Sequence, residues 1–193
     1  MILRHVQFHL DQKPLKAIFL FFVLLVACSD DDHKTLQIVN DDLEGANSWQ
    51  FVNVSPAAHS GGINITEFAS ASHSLGIKSS VAVGSGFSYW SYWWTPKNIP
   101  VGSKLELTVK VKVEGVTGPG TYVALRGDIG TGSGFFESTQ GKQTISGSQE
   151  FATYKVTLES FPEGITAMAI FFVLDGTSTG AAFFDDISLV SHH

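Results

Sequence analysis

The sequence predicts an all-β fold, an antiparallel β-sandwich of the jelly-roll type, from three observations. Glycine and phenylalanine are abundant, at 19 and 15 residues, while charged residues make up only 16% of the chain. Runs rich in β-branched and aromatic residues recur at short spacing, separated by Gly, Ser, Asn or Pro. No segment sustains the 3.6-residue hydrophobic period of a helix. These are the marks of strands joined by turns. About ten strands in roughly 150 residues require two packed sheets with most edges closed.

The first three predicted strands, 49–54, 63–68 and 74–81, are short mixed runs bounded by Ser, Asn and Gly. The fourth, 87–95, reads FSYWSYWWT and carries aromatics on both parities. Residues 104–114 alternate most cleanly. Leu105, Leu107, Val109, Val111 and Val113 point one way, and Lys104, Glu106, Thr108, Lys110, Lys112 and Glu114 the other. One face packs and one is wet, with lysines that would discourage edge pairing. Residues 121–128 and 135–144 follow as separate strands. Residues 151–159 repeat the alternation, with Tyr154, Val156 and Leu158 inside. In 165–174 both parities are apolar, as expected of a central strand covered on both sides. The last strand is 181–190. No internal repeat and no second domain are visible.

The residues before the first strand read as an address and a spacer. Arg4, Lys13 and Lys16 precede an uninterrupted apolar run, 17–26, and the string LVAC then ends at Cys28, the one cysteine of the chain. That run suits a signal-peptide core and falls short of the roughly 20 residues a spanning helix needs. The string resembles a bacterial lipobox, with Leu25 and Ala27 ahead of a lipidated Cys28. On this reading residues 1–27 are a signal peptide, 28–35 an acidic tether and 36–191 the sandwich domain. The run Ser29-Asp30-Asp31-Asp32 cannot pack and forms a solvated linker. It also resembles the tether that sends Bacteroidetes lipoproteins to the outer face of the outer membrane, so the expected location is lipid-anchored and facing the exterior.

The whole chain carries a net charge of −6; loss of residues 1–27 removes three bases and one acid and leaves about −8. An acidic domain without a basic cluster is a poor partner for nucleic acid or anionic lipid head groups. With Cys28 lipidated, no thiol is left for a disulfide or a cysteine–zinc site.

Four stretches carry a family resemblance: NDDLEGANSW (40–49), HSLGI (73–77), IPVGSKLELTVKVK (99–112) and FFDDISLV (183–190). In this order they resemble galactose-binding-domain-like jelly rolls, most nearly the carbohydrate-binding modules attached to xylanases. The resemblance covers residues 40–190. It implies non-catalytic glycan binding and a structural calcium held by Glu44 and Asp185, with Asp42 and Asn40 able to add oxygens. The residues themselves also single out Asp185, which shares a parity with Phe183, Ile187 and Leu189 that is expected to face the core. A buried carboxylate needs a cation or dense hydrogen bonding. Calcium, with about six to eight oxygen ligands, is one answer; an Asp185 capped at a strand bend is the other.

The candidate ligand site is the aromatic run. Trp90, Tyr92 and Trp94 share one parity, and Phe87, Tyr89 and Trp93 the other. Either one face is ordinary core and the other is exposed, or both are buried as in 165–174. An exposed Tyr/Trp row would stack on the C–H faces of sugars. The expected contact residues are Trp90, Tyr92, Trp93 and Trp94, with the parity left open, and Arg126. Arg126 would bind hydroxyls or a uronate carboxylate, or else form a surface ion pair with Asp128 or Glu106.

Catalytic motifs fit poorly. Gly176-Thr177-Ser178-Thr179-Gly180 matches G-x-S-x-G, but a strand follows where a nucleophile elbow needs a helix, so it reads as a hairpin loop. Gly130-Thr131-Gly132-Ser133-Gly134 lacks the lysine of a phosphate loop and reads as a mobile loop. The expected function is glycan binding by a surface lipoprotein that works beside glycan-utilisation proteins. The other classes are a protein-binding component of an outer-membrane complex and a small glycan hydrolase or lyase.

Overall fold

The structure, a computed structural model, describes residues 34–45, 48–54, 59–82 and 84–193. The expected signal peptide, Cys28 and most of the tether lie outside the described residues. The described residues form ten antiparallel strands: β1 (Thr35–Asp41), β2 (Gln50–Asn53), β3 (His59–Asn64), β4 (Ser74–Ser79), β5 (Phe87–Trp94), β6 (Lys104–Ile129), β7 (Gly132–Ser138), β8 (Ile145–Leu158), β9 (Ala167–Asp175) and β10 (Gly180–His192).

The long strand β6 organises them. Its first half pairs with β10 and β8, and its second half with β9 and β7. One sheet therefore runs β3-β4-β10-β6-β8, with β1 on the same edge of β10 as β4. The other runs β2-β5-β9-β6-β7. Residues 104–114 and 121–128 are thus parts of one strand. The glycines between them are bulges in β6, where the register to β8 slips, and Gly115, Gly118 and Gly120 sit at φ 59°, 68° and 89°. Only glycine takes this region without strain.

The core lies between the sheets. The predicted inner residues of β6, Leu105 to Val113, are all buried and face Met168, Ile170, Phe172 and Leu174 of β9. A ring stack spans the sandwich: Trp49 lies 4.7 Å from Phe172, and Phe172 lies 4.6 Å from Phe184. Full burial of each such ring contributes roughly 1.5–3 kcal/mol. Trp90 Nε1, on β5, donates to the Gly76 carbonyl of β4 at 3.0 Å and ties the sheets together.

Several expectations are corrected. β1 was not foreseen: its short run TLQIVND has a broken alternation and a register shift against β10. β3 lies four residues before the predicted 63–68, because Gly61 and Gly62 belong to the strand rather than to a turn. A Cβ at Gly61 would collide with the Phe51 ring. Residues 135–144 are the end of β7 and a turn, and of the glycine-rich 130–134 only Gly130 and Thr131 form a turn, since β7 begins at Gly132. The lysine face of 104–114 protects no edge, since this half of β6 lies between two partners. Residues 176–180 cross from one sheet to the other rather than closing a hairpin, as β9 and β10 do not pair. Ser178 is buried there, its Oγ accepting from Gly120 N and donating to Gly120 O.

The parity of the last strand also changes. Ala182 and Phe184 face the core before a bulge, and Ile187 and Leu189 after it. The register slips between Asp185 and Ser188, with Asp186 at φ 46°. The extra residue turns Phe183 and Asp185 to the outer face of the first sheet, against the expectation that they shared the core side with Ile187.

Candidate functional site

The outer face of the second sheet is concave, and its shape follows from three cross-strand rows. The first row is Tyr89, Val173 and Tyr122. The second is Ser91, Phe171 and Ala124. The third is Trp93, Ala169 and Arg126, continued by Phe136 on β7. Small residues at 91, 124 and 169 leave a floor from which the larger side chains rise. The result is a groove of about 260 Å³, closed off at one end by Val54 and Phe87.

Its aromatics brace one another. Phe171 meets Tyr89 and Trp93 edge-on, at 5.3 and 5.5 Å between ring centroids. Trp93 is 44% exposed and so offers its surface to the groove. Because residue 169 is only an alanine, the guanidinium of Arg126 reaches across β9 to lie 6.0 Å from the Trp93 ring centroid. Arg126 Nε donates to Asp128 Oδ1 at 2.7 Å. At the other end, burial and then the Asp175 carboxylate push the Tyr122 phenol above its ordinary pKa.

The parity left open by the sequence is thereby decided. Trp93 and Arg126 meet in the groove. Trp90 is buried on the opposite face of β5, and Tyr92 and Trp94 lie on that face too, packed against the core with Trp49. These three are not groove residues, because one face of β5 must cover the sandwich interior. Sequence reading missed Tyr122, Phe136 and Phe171 as groove residues. The available signal was that Tyr122 shares the parity of Arg126, and that the odd parity of β9 holds Phe171 between an alanine and a valine.

Of the four residues expected at calcium, only Asp185 and Glu44 meet a strap, residues 65–73, that crosses the outer face of the first sheet. Asp185 is fully buried and accepts the backbone N–H of Ala69, Ser70 and Asp186 at 2.6, 3.0 and 2.7 Å. Burial raises its pKa, partly offset by those bonds. Glu44 accepts from the N–H and hydroxyl of Ser72 and from the N–H of His73, and hydrogen-bonds the His73 ring. These bonds, that of the Ser72 side chain above all, hold its pKa at about 2. Asp42 accepts from Glu44 N at 3.2 Å, and Asn40 is exposed on β1. Hydrogen-bond donors meet both carboxylates, and among the described residues no group of three or more His, Cys, Asp or Glu could hold a metal ion. The three N–H groups cap Asp185, as the second of the two expectations had it.

No family model and no curated protein matches this chain. Solved structures do. A Stig cyclase, Fisc of Fischerella sp. TAU, in complex with (3Z)-3-(1-methyl-2-pyrrolidinylidene)-3H-indole, aligns at a TM-score of 0.63 and 15% identity, over 82% of this chain and 98% of that one. The CBM22-1 xylan-binding domain of Paenibacillus barcinonensis Xyn10C aligns at 0.53 and 11%, over 81% and 95%. The C-terminal family 22 carbohydrate-binding module of Clostridium thermocellum Xyn10B aligns at 0.51 and 14%, over 79% and 91%. The fold is a jelly roll of the family 22 module type. At these identities the likeness is one of fold alone, and it is shared by binding modules and cyclases.

Proposed function

We propose that this domain binds glycan without catalysis, in the groove of the second sheet, and that a lipid on Cys28 holds it at the outer surface of the outer membrane. The observation that carries this reading is the third row: an exposed Trp93 ring beside a braced guanidinium on an open concave face. Flat rings take the C–H faces of sugars, and the groove's few polar groups would take hydroxyls. The xylan-binding domain of similar fold supports the choice of ligand class. Membrane attachment would keep captured polysaccharide near glycan-utilisation proteins.

Affinity electrophoresis against a panel of plant, algal and host glycans tests this. Trp93→Ala is expected to weaken binding roughly ten-fold or more, the loss expected when a ring's apolar contact is removed. Trp94→Phe, on the opposite face of β5, should bind as the parent does. Equal loss in both variants would sink the site. For the anchor, Cys28→Ala should move the protein from the detergent phase to the aqueous phase in Triton X-114 partitioning.

A second reading has one observation in its favour. The groove is lined almost wholly by aromatic and aliphatic side chains, which also suits a planar apolar small molecule. The cyclase of similar fold was solved with an indole compound. Calorimetric titration with indole, giving a saturable heat while every glycan gives none, would favour that reading.

A further inference from the structure

The groove is asymmetric in charge. Arg126 is the single charged side chain lining it among the described residues, in a chain of net charge −6. Its ion pair with Asp128 does not simply cancel it. Asp128 takes only Nε, at 2.7 Å, and its side chain is 14% exposed against 37% for Arg126. The carboxylate is thus tucked below while the guanidinium meets the groove. Among the described residues no protein acceptor sits on the two terminal amino groups of Arg126. The Trp93 ring beneath the guanidinium and the bond at Nε together hold its plane. A guanidinium fixed at Nε presents a planar fork of N–H donors, the geometry that matches a carboxylate in two parallel hydrogen bonds. Asp175, near Tyr122, makes the opposite end unfavourable to an anion.

We infer that the groove selects an acidic glycan, with a uronate carboxylate on the Arg126 fork and a sugar ring of the same chain against Trp93. This rests on the glycan reading above and narrows it. The ligand's direction follows: its charged unit lies at the Trp93 end, and neutral units lie towards Tyr89 and Tyr122.

The test sets glucuronoxylan, rhamnogalacturonan I and hyaluronan, in which uronates are interspersed with neutral sugars, each beside its own carboxyl-reduced polymer, in affinity electrophoresis with the domain. At least one acidic polymer should retard the protein, and its reduced counterpart should bind roughly ten-fold or more weakly, as expected for loss of a charge-assisted hydrogen-bond pair. Arg126→Gln, checked for an unchanged melting temperature, should bind the acidic and reduced forms alike. Arg126→Lys, which keeps the charge but not the fork, should fall between. Retardation by neutral polymers only, or equal binding before and after reduction, would overturn the acidic assignment and leave glycan binding standing. Retardation by none of the polymers, acidic or neutral, would overturn both.

Discussion

Ala169 shows how one small residue shapes the groove. It separates Trp93 from Arg126 in the third row, and its lack of bulk lets the guanidinium cross to the ring. Ala169→Leu should cost about 1–3 kcal/mol in overpacking and abolish groove binding; a denaturant melt and a glycan titration on one sample check both. His59 makes a second residue-scale case. It is buried, its Nδ1 lies 2.8 Å from Ser88 Oγ, and its Nε2 has no partner among the described residues. Burial lowers its pKa below the ordinary 6.5, and the Asp175 charge opposes this only in part. A histidine held neutral in the fold stabilises fully above 6.5, and the gain is lost as pH falls from there through the lowered folded value, since the unfolded chain takes the proton first. The melting temperature should therefore drop on acidification below 6.5, and His59→Gln should flatten that slope. An identical slope in the variant would refute the assignment. At this scale the sequence revealed composition but not direction. Six aromatics crowd β5, and only their pairing with β9 decides that Tyr89 and Trp93 face out while Trp90 faces in.

Among the elements, the bulge in β10 and the strap at 65–73 depend on each other. The bulge places Asp185 outward, and the strap's N–H groups cover it. Lys112, whose side chain is only 11% exposed, adds an ion pair to Glu67 at 2.6 Å from below, and Lys110 pairs with Asp186 at 2.6 Å. Asp185→Ala would leave the Ala69, Ser70 and Asp186 N–H groups without this acceptor. At about 1–3 kcal/mol for each buried donor left unpaired, it should destabilise by several kcal/mol in urea unfolding. The two carboxylates that hold the strap respond oppositely to acid. The Glu44 contribution is present above 4.5 and is lost as pH falls through about 2, because its folded pKa is depressed. Asp185, with a raised folded pKa, favours the fold more once protonated. Amide exchange across this window should show Ser72 and His73 losing protection while Ala69 and Ser70 retain theirs; the reverse order would refute it. The bulge was illegible in the sequence, because a period-two pattern gives the wrong face to every residue beyond an inserted one. The inner face of 104–114 was legible because its own alternation is unbroken, the extra residues at its register slips lying in β8 and β10.

For the whole molecule, the jelly roll was readable because alternation, glycine turns and a doubly apolar strand point to two packed sheets; β9 does lie between β5 and β6, but its second apolar face floors the groove and no further layer covers it among the described residues. The continuity of β6 through both sheets was not readable, since glycine marks a bulge and a turn with the same letter. With Asp185 capped by N–H groups, EGTA should leave the melting temperature unchanged, and a rise on adding calcium would establish a cation. One last consequence concerns tension. Lys34 and His193 exchange two backbone hydrogen bonds at 2.9 and 3.1 Å, just ahead of the β1–β10 ladder. On the reading proposed above, a ligand dragged by flow would pull on Arg126 in the far half of β6, and the load would pass along that strand, across to β10 and then to β1. A tug along β1 from the residues before Lys34 is met by the whole ladder in shear, the bonds sharing the force rather than parting one by one.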